Sequence, residues 1–271
     1  MALDLPAWSM RSGDTPLAGA PWQGPITRDW AWGGASGRGI SVGIVDSGVD
    51  REHPDVGGVA EAVVVTAGDD GAPVVAPDEE PDVSGHGTAC AGLIRALAPE
   101  CELTSVRVLG TDFTGTGRDL LAGLRWALER GCQVVNMSLA TTRREFTEAL
   151  HELVDEAYFN SAIIVASAHN MPVESWPWRF SSVISVACHD RADSFEFHYN
   201  PEPPVEFFAR GADIDVAWPG GGHIRVTGNS FATPHISGLC ALVLSKHSGL
   251  TPFQLKSILH ATATNVQVTR A

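Results

Sequence analysis

Residues 40–48 read Ile40-Ser41-Val42-Gly43-Ile44-Val45-Asp46-Ser47-Gly48. The run is short, apolar and rich in β-branched residues, and it stops on an acid followed by a Ser-Gly turn. A strand half open to water alternates polar and apolar positions. A continuous apolar run marks a strand covered on both faces, as in a parallel sheet sandwiched between helices. In such sheets the functional side chains gather at the carboxyl ends of the strands, which makes Asp46 a first candidate. Alone, an acid there serves equally well as a helix cap or an ion-pair partner.

Working outward, the same alternation recurs. Val63–Val65 is a second apolar run, followed by an acidic loop with Asp69, Asp70, Asp78, Glu79, Glu80 and Asp82. Small-residue helical character over 88–97 precedes a strand over 103–109. Residues 119–130 form an amphipathic helix closed by Gly131. Strands over 134–139, 162–168 and 183–187 are interleaved with a helix over 145–159, whose Leu150, Leu153, Val154 and Ala157 share one face. A helix over 231–247 has Pro234 in its first turn, where proline is tolerated, and Thr251-Pro252 opens a last helix over 253–261. Strands alternating with helices predict one α/β domain over residues 36–271, a three-layer αβα fold with a mostly parallel central sheet. Residues 1–35, rich in Trp, Gly and Pro, read as an irregular arm anchored by Trp8, Trp22, Trp30 and Trp32.

Composition narrows the function. The chain has 271 residues, 44% of them hydrophobic, with 28 Gly and 17 Pro. That is apolar enough for a sizeable core and too poor in Gly and Pro for low complexity. The net charge of −14 argues against a nucleic-acid partner, which needs clustered Lys and Arg. No apolar run is long enough for a membrane span, and the start Met1-Ala2-Leu3-Asp4-Leu5-Pro6 lacks the basic and apolar regions of a secretory signal. The five cysteines, Cys90, Cys101, Cys132, Cys188 and Cys240, include no Cys-x-x-Cys pair. They read as small buried thiols of a reducing, cytoplasmic compartment. Ten histidines include no His-Glu-x-x-His, and the acidic loop lacks a calcium-loop spacing, so neither a metal nor another cofactor is expected.

Two further positions carry chemistry. Gly85-His86-Gly87-Thr88-Ala89-Cys90-Ala91-Gly92 puts an imidazole on the first turn of a small-residue helix, and the flanking glycines suggest room for another chain beside the ring. Thr227-Gly228-Asn229-Ser230-Phe231-Ala232-Thr233-Pro234-His235 puts a serine at the entry to a buried helix, where free N–H groups and the helix dipole favour negative charge. Ser230 read alone is equally an N-cap.

Taken together, these motifs resemble those of the subtilisin-like serine peptidases, the subtilases. Val42–Val49 resembles the family's Asp-Thr/Ser-Gly motif, Gly85–Gly92 its His-Gly-Thr-x-x-Ala-Gly motif, and Gly228–Pro234 its Gly-Thr-Ser-x-Ala-x-Pro motif, in the order Asp, His, Ser. The resemblance runs from about residue 36 to 262. It implies a serine endopeptidase in which Ser230 attacks the scissile carbonyl, His86 takes and returns the proton, and Asp46 holds the imidazole. Asn170, after the strand ending Ser167-Ala168-His169, stands where the family carries its oxyanion asparagine. Ser138, Leu139 and Ala140 resemble the substrate-binding edge strand, against which a peptide or protein substrate adds as an extra strand.

The departures from that pattern carry expectations of their own. His169 replaces a glycine and is expected to narrow the primary pocket or touch substrate. Trp178 falls where a small residue is usual and is expected to fill that pocket, unless it packs in the core. Asn229 replaces a threonine, and its amide is a further candidate oxyanion donor. Phe231 is expected beside the pocket. Asp82 is expected near the second subsite, favouring a basic substrate residue. About 40 residues precede the first motif strand, fewer than the signal and folded pro-domain that the resemblance would imply for a secreted relative, so the chain is expected to fold unaided, to be helped by a partner protein, or to carry a short inhibitory arm within residues 1–32. The altered pocket points to a narrow protein or precursor-peptide substrate. The alternative is a catalytically inactive peptide-binding scaffold on the same fold.

Overall fold

The computed structural model describes residues 24–266. In chain order its elements are α1 (Arg28–Trp32), β1 (Ser41–Asp46), β2 (Glu61–Ala67), β3 (Pro73–Pro77), α2 (His86–Leu97), β4 (Glu102–Arg107), α3 (Gly117–Glu129), β5 (Val134–Met137) and α4 (Thr147–Phe159). There follow β6 (Ile163–Ser167), β7 (Ile184–His189), β8 (Phe197–Tyr199), β9 (Phe207–Arg210), β10 (Ile214–Trp218), β11 (Gly222–Val226), α5 (Asn229–Lys246) and α6 (Pro252–Thr262).

The expected strand around Ile44 lies inside a nine-stranded sheet of order β3-β2-β4-β1-β5-β6-β7-β9-β8. Every pairing from β2 to β9 is parallel, and only the two edge strands, β3 and β8, run antiparallel. β1 pairs with β4 from Ser41↔Glu102 to Asp46↔Arg107, so Asp46 emerges at the carboxyl edge of the sheet. From Val42 onward every residue of β1 is buried, as its unbroken apolar run requires. A separate hairpin, β10–β11, lies outside the sheet.

Helices cover both faces. On one, Ile94 of α2, Ile236, Leu239 and Val243 of α5, and Leu255 and Leu259 of α6 pack on Val42, Ile44, Val134 and Val165. On the other, Leu120 and Leu124 of α3 and Leu150 and Leu153 of α4 pack on Val45, Val106, Val135 and Ile164. α5 is buried at every position from Ser230 to Leu244, which is where a helix apolar on all sides must go. It carries Ser230 at one end and Lys246 at the other.

Two expectations change at the N-terminal end. Part of the region read as irregular, Arg28–Trp32, is a short helix capped by Thr27. It docks at the Lys246 end of α5: Lys246 Nζ donates to the Asp29 and Gly33 carbonyls at 2.6 and 2.8 Å, and Trp30 stacks on His247. This is the opposite end of the helix from Ser230, so α1 does not lie across the candidate site. Trp8 and Trp22 lie outside the described residues.

The acidic loop is another difference. Much of it is the β2–β3 hairpin, and two of its acids are fully engaged. Asp78 holds Arg107 through two 2.7 Å hydrogen bonds, and Asp82 binds the start of α2.

α5 also contains a buried histidine. His235 is 1% exposed and donates from Nδ1 to the Phe231 carbonyl at 3.0 Å. Burial, only partly offset by that bond and assisted by Arg210, pushes its pKa down to about 4. Unfolded, the ring titrates near 6.5, so the unfolded chain binds a proton that the folded chain refuses. This contribution to stability is full above about pH 6.5 and is lost as pH falls toward 4. Urea unfolding of His235→Gln between those pH values should show a smaller loss of stability than the native chain. An equal loss in both would contradict the assignment.

Candidate active site

Local chemistry at the end of β1 positions the first pair. Asp46 is fully buried, and its Oδ1 accepts from the Ser47 N–H at 2.8 Å. Both its carboxylate oxygens lie 2.8–2.9 Å from His86 Nδ1. A carboxylate offers no proton, so Nδ1–H is the donor. That fixes the tautomer, leaving Nε2 as the acceptor.

His86 opens α2. The glycines beside it do not make room for another chain, as the sequence suggested. Gly85 sits at φ 91°, and a Cβ there would lie 2.5 Å from the Trp218 ring. A Cβ at Gly87 would collide with the Gly48 carbonyl. The two glycines let α2 approach the β1 turn and Trp218.

Asp82 fixes the same helix start. Its Oδ1 accepts from Ser47 Oγ at 2.7 Å, Ser84 N at 3.0 Å and Gly85 N at 2.8 Å. Its Oδ2 accepts from Thr88 N and Oγ1, both at 2.7 Å. The carboxylate is buried and has no acceptor capacity left for a substrate. The expected role at a second subsite is therefore corrected: Asp82 binds the orphan N–H groups of a helix end. Burial alone would lower the pKa of His86, whose side chain is 13% exposed. The charges of Asp46 and Asp82 and the Asp46 hydrogen bond outweigh it, and the pKa is raised.

Ser230 lies in the first turn of α5, where its N–H has no carbonyl four residues back within the helix to bond. Its own carbonyl accepts from Ser138 Oγ at 2.7 Å. Asn136 Nδ2 supports Ser138 at 3.1 Å, and Ser237 Oγ donates back to Asn136 Oδ1 at 2.9 Å. The predicted substrate residue Ser138 is thus buried and ties the helix to β5.

Asn170 follows β6. Its Oδ1 accepts from the Asn229 N–H at 2.9 Å, which orients its Nδ2 donor toward the space before Ser230. A Cβ added at Gly228 would lie 3.3 Å from Ser230 Oγ and 3.5 Å from Asn170 Nδ2, so Gly228 keeps that space open. The Asn229 amide is not an additional donor there. Its Nδ2 is spent on the Ala168 and His169 carbonyls at 3.2 and 3.3 Å, and its Oδ1 accepts from Cys188 N at 2.9 Å.

One cleft of about 490 Å³ is lined by His86, Ser230, Asn170, Ser138, Leu139, Ala140, His169 and Phe231, together with Leu109 and with Phe113, whose ring stands beside His86. Ala140 leads to Thr141, which bridges antiparallel to Trp176. His169 is half-buried at the rim, its Nδ1 accepting from the Met171 N–H at 3.0 Å. Trp178 does not reach the cleft. It is 8% exposed, packs in the core on the α3–α4 face and donates from Nε1 to Ser175 Oγ at 2.9 Å. Phe113 was not anticipated, since a lone aromatic in a Gly-Thr-rich loop carries no periodic signal. Asp46, His86 and Cys90 also bring three potential ligand atoms within 4.8 Å of one another. Asp46 and His86 are already paired there, and burial and the neighbouring Asp46 charge push the Cys90 thiol well up, away from the thiolate a metal needs.

This arrangement has known counterparts. The model of the subtilase family matches residues 37–271. The chain is 32% identical over 250 residues to a subtilisin of Bacillus pumilus, covering 85% of this chain and 86% of that protein. It is 30% identical over 248 residues to subtilisin DY of Bacillus licheniformis, covering 86% of each. Its fold is similar to the crystal structure of a cold-adapted subtilisin-like serine proteinase, with a TM-score of 0.67 and 27% identity over 85% of this chain and 86% of that one.

Because five donors converge on a buried Asp82, Asp82→Ala is expected to cost about 1–3 kcal/mol of stability in urea unfolding. It should not change any preference for basic substrate residues in a peptide library. An unchanged unfolding midpoint would contradict the capping role.

Proposed function

The chain belongs to the subtilase family and is a subtilisin-like serine protease, and on that premise we propose that Asp46, His86 and Ser230 are its catalytic triad, with Asn170 as an oxyanion donor. The observation that carries the reading is the 2.8–2.9 Å bond between His86 Nδ1 and both oxygens of the buried Asp46, in a cleft shared by His86, Ser230 and Asn170.

Each role follows from chemistry. A serine hydroxyl is too weak an acid to attack unaided, so neutral His86 accepts its proton at Nε2 as Oγ bonds to the scissile carbonyl carbon. Asp46 stabilises the resulting imidazolium. The carbonyl oxygen becomes an oxyanion that takes hydrogen bonds from the Ser230 N–H and Asn170 Nδ2, and one preorganised donor of this kind is worth about 10²–10³ in rate. His86 then protonates the leaving amine. Water, deprotonated by the same ring, hydrolyses the acyl-enzyme and frees Ser230.

The substrate is a peptide segment in extended form, laid along Leu139 and Ala140. We extend the reading to a narrow protein or precursor-peptide substrate, supported by His169 at the cleft rim. Trp178 does not block the pocket, because its indole lies in the core. This favours the enzyme over the inactive-scaffold alternative.

A fluorophosphonate serine-hydrolase probe should label the native chain, and Ser230→Ala should abolish the labelling. Native protein that never labels between pH 6 and 9 would return the reading to the scaffold. The acid limb of kcat/KM supplies a separate check. His86 must be neutral to accept the proton, and its pKa is raised, so activity should fall as pH drops through a value above the ordinary imidazole range. A limb below about pH 6.5, or activity that rises on acidification, would contradict the role of His86.

A further inference from the structure

The chain carries 32 acidic and 18 basic side chains, so an arginine without a partner is the exception that calls for a reason. Among the described residues, every Arg and Lys side chain but two holds a hydrogen bond or an ion pair. The two are Arg118, in the first turn of α3, and Arg143, between β5 and α4. Both are exposed, and both line the same cavity of about 450 Å³.

Local packing brings the two together. A Cβ at Gly117 would lie 2.1 Å from the Phe146 ring. The ring therefore seats on bare backbone and presses the turn before α4 against the start of α3. The neighbouring charges are committed elsewhere. Arg144 pairs with Glu174. The Asp119 carboxylate accepts from Thr116 N at 3.2 Å and from its hydroxyl at 2.6 Å, in the box that caps α3. That helix end is already satisfied and needs no ligand. Glu145 is the other acid of the lining, and among the described residues it pairs with neither arginine.

The cavity between the arginines is continuous with the candidate active site. The cleft that holds Ser230 shares Leu139 and Ala140 with a second cavity, of about 310 Å³. That second cavity shares Thr116, Gly117 and Arg143 with the one between the arginines. One surface thus leads from Ser230 past Leu139, Ala140 and Thr141 to Arg143 and Arg118. A peptide laid along Leu139 and Ala140 has the pair ahead of it, several residues from the bond held at Ser230.

We propose that Arg118 and Arg143 form a remote subsite for an acidic side chain of the substrate. The substrate class is then an extended peptide with an Asp or Glu several residues from the scissile bond. A guanidinium fork matches a carboxylate in shape and in charge, and here two unpaired forks line one cavity. The chain as a whole, at −14, repels an acidic peptide, so a gain from an acid at one position is a local effect. The inference rests on the reading of His86 and Ser230 as catalytic and deepens it by naming the substrate class.

The test moves a single Glu, Gln or Lys through eight positions on each side of the scissile bond of a cleaved peptide. It reads the Glu/Gln ratio of kcat/KM. In the native chain the ratio should reach about three to ten at one or two adjacent positions remote from the bond, on one side only. It should shrink in about 0.5 M salt. Combining Arg118→Gln with Arg143→Gln should bring it to about one. Combining Arg118→Glu with Arg143→Glu should invert it and let Lys outrank Gln, and Glu145→Gln should raise it. Each ratio compares two peptides on one protein, so a variant that folds incompletely still reports it. The same peptides are titrated by fluorescence anisotropy against Ser230→Ala, with and without the arginine substitutions. A native ratio near one throughout, a ratio unchanged in the double Gln variant, or an equal gain at every position overturns the proposal. A fluorophosphonate probe that never labels the native protein sinks the catalytic reading, while the anisotropy ratio still decides for or against the arginine pair.

Discussion

One buried carboxylate organises the site without touching substrate. Asp82 gathers five donors from Ser47, Ser84, Gly85 and Thr88. Those bonds satisfy N–H groups that the first turn of α2 would otherwise bury unpaired, and they lock the β1 turn to that helix. Only then does His86 stand against Asp46. Gly85 and Gly87 serve the same docking, because any side chain at either would push the helix away from Trp218 or Gly48. The alignment of an acid and an imidazole thus rests on helix capping and close backbone packing.

The other half of the cleft is built on amide geometry. Asn229 stitches β6 to β7 through Ala168, His169 and Cys188, and its N–H holds Asn170. A free asparagine amide rotates, and this bond holds Asn170 in one orientation, as the proposed oxyanion role requires. Ser138 and Asn136 perform a similar task from beneath by holding the Ser230 carbonyl and α5. Ser230 is therefore presented by a helix anchored at its first turn, and the space before it stays open because residue 228 has no side chain.

How much of this was legible in the sequence depends on which forces leave a local trace. The central strands were legible because burial on both faces writes continuous apolar runs, and α3 and α4 because one-sided burial writes a period of 3.6. The strands β3, β8 and β9 and the hairpin β10–β11 were missed: they are short or half-exposed, and β3 carries prolines at Pro73 and Pro77. Helix α1 has five residues, too few for a period. Asp46, His86, Ser230 and Asn170 stood out because short motifs fix their surroundings, and His86, Asn170 and Ser230 line one cleft in the structure, with Asp46 bonded to His86. Asp82, Asn229 and Trp178 were misread because their partners are set by tertiary packing, and nothing in the local sequence records that Trp178 meets Ser175 or that Thr88 saturates Asp82.

Two histidines near the head of α5 show what the acids around the cleft accomplish. His86 and His235 are both largely withdrawn from water, and burial alone lowers the pKa of each. His235 has only the Phe231 carbonyl in its favour and the Arg210 charge against it, and it stays neutral down to about pH 4. His86 has Asp46 in contact and Asp82 nearby, and its pKa moves the other way. Environment, not residue type, separates a ring that can shuttle a proton near neutral pH from one that packs as a neutral amphiphile. Part of the net negative charge of the chain is thereby given a specific task, which is to keep one buried imidazole basic.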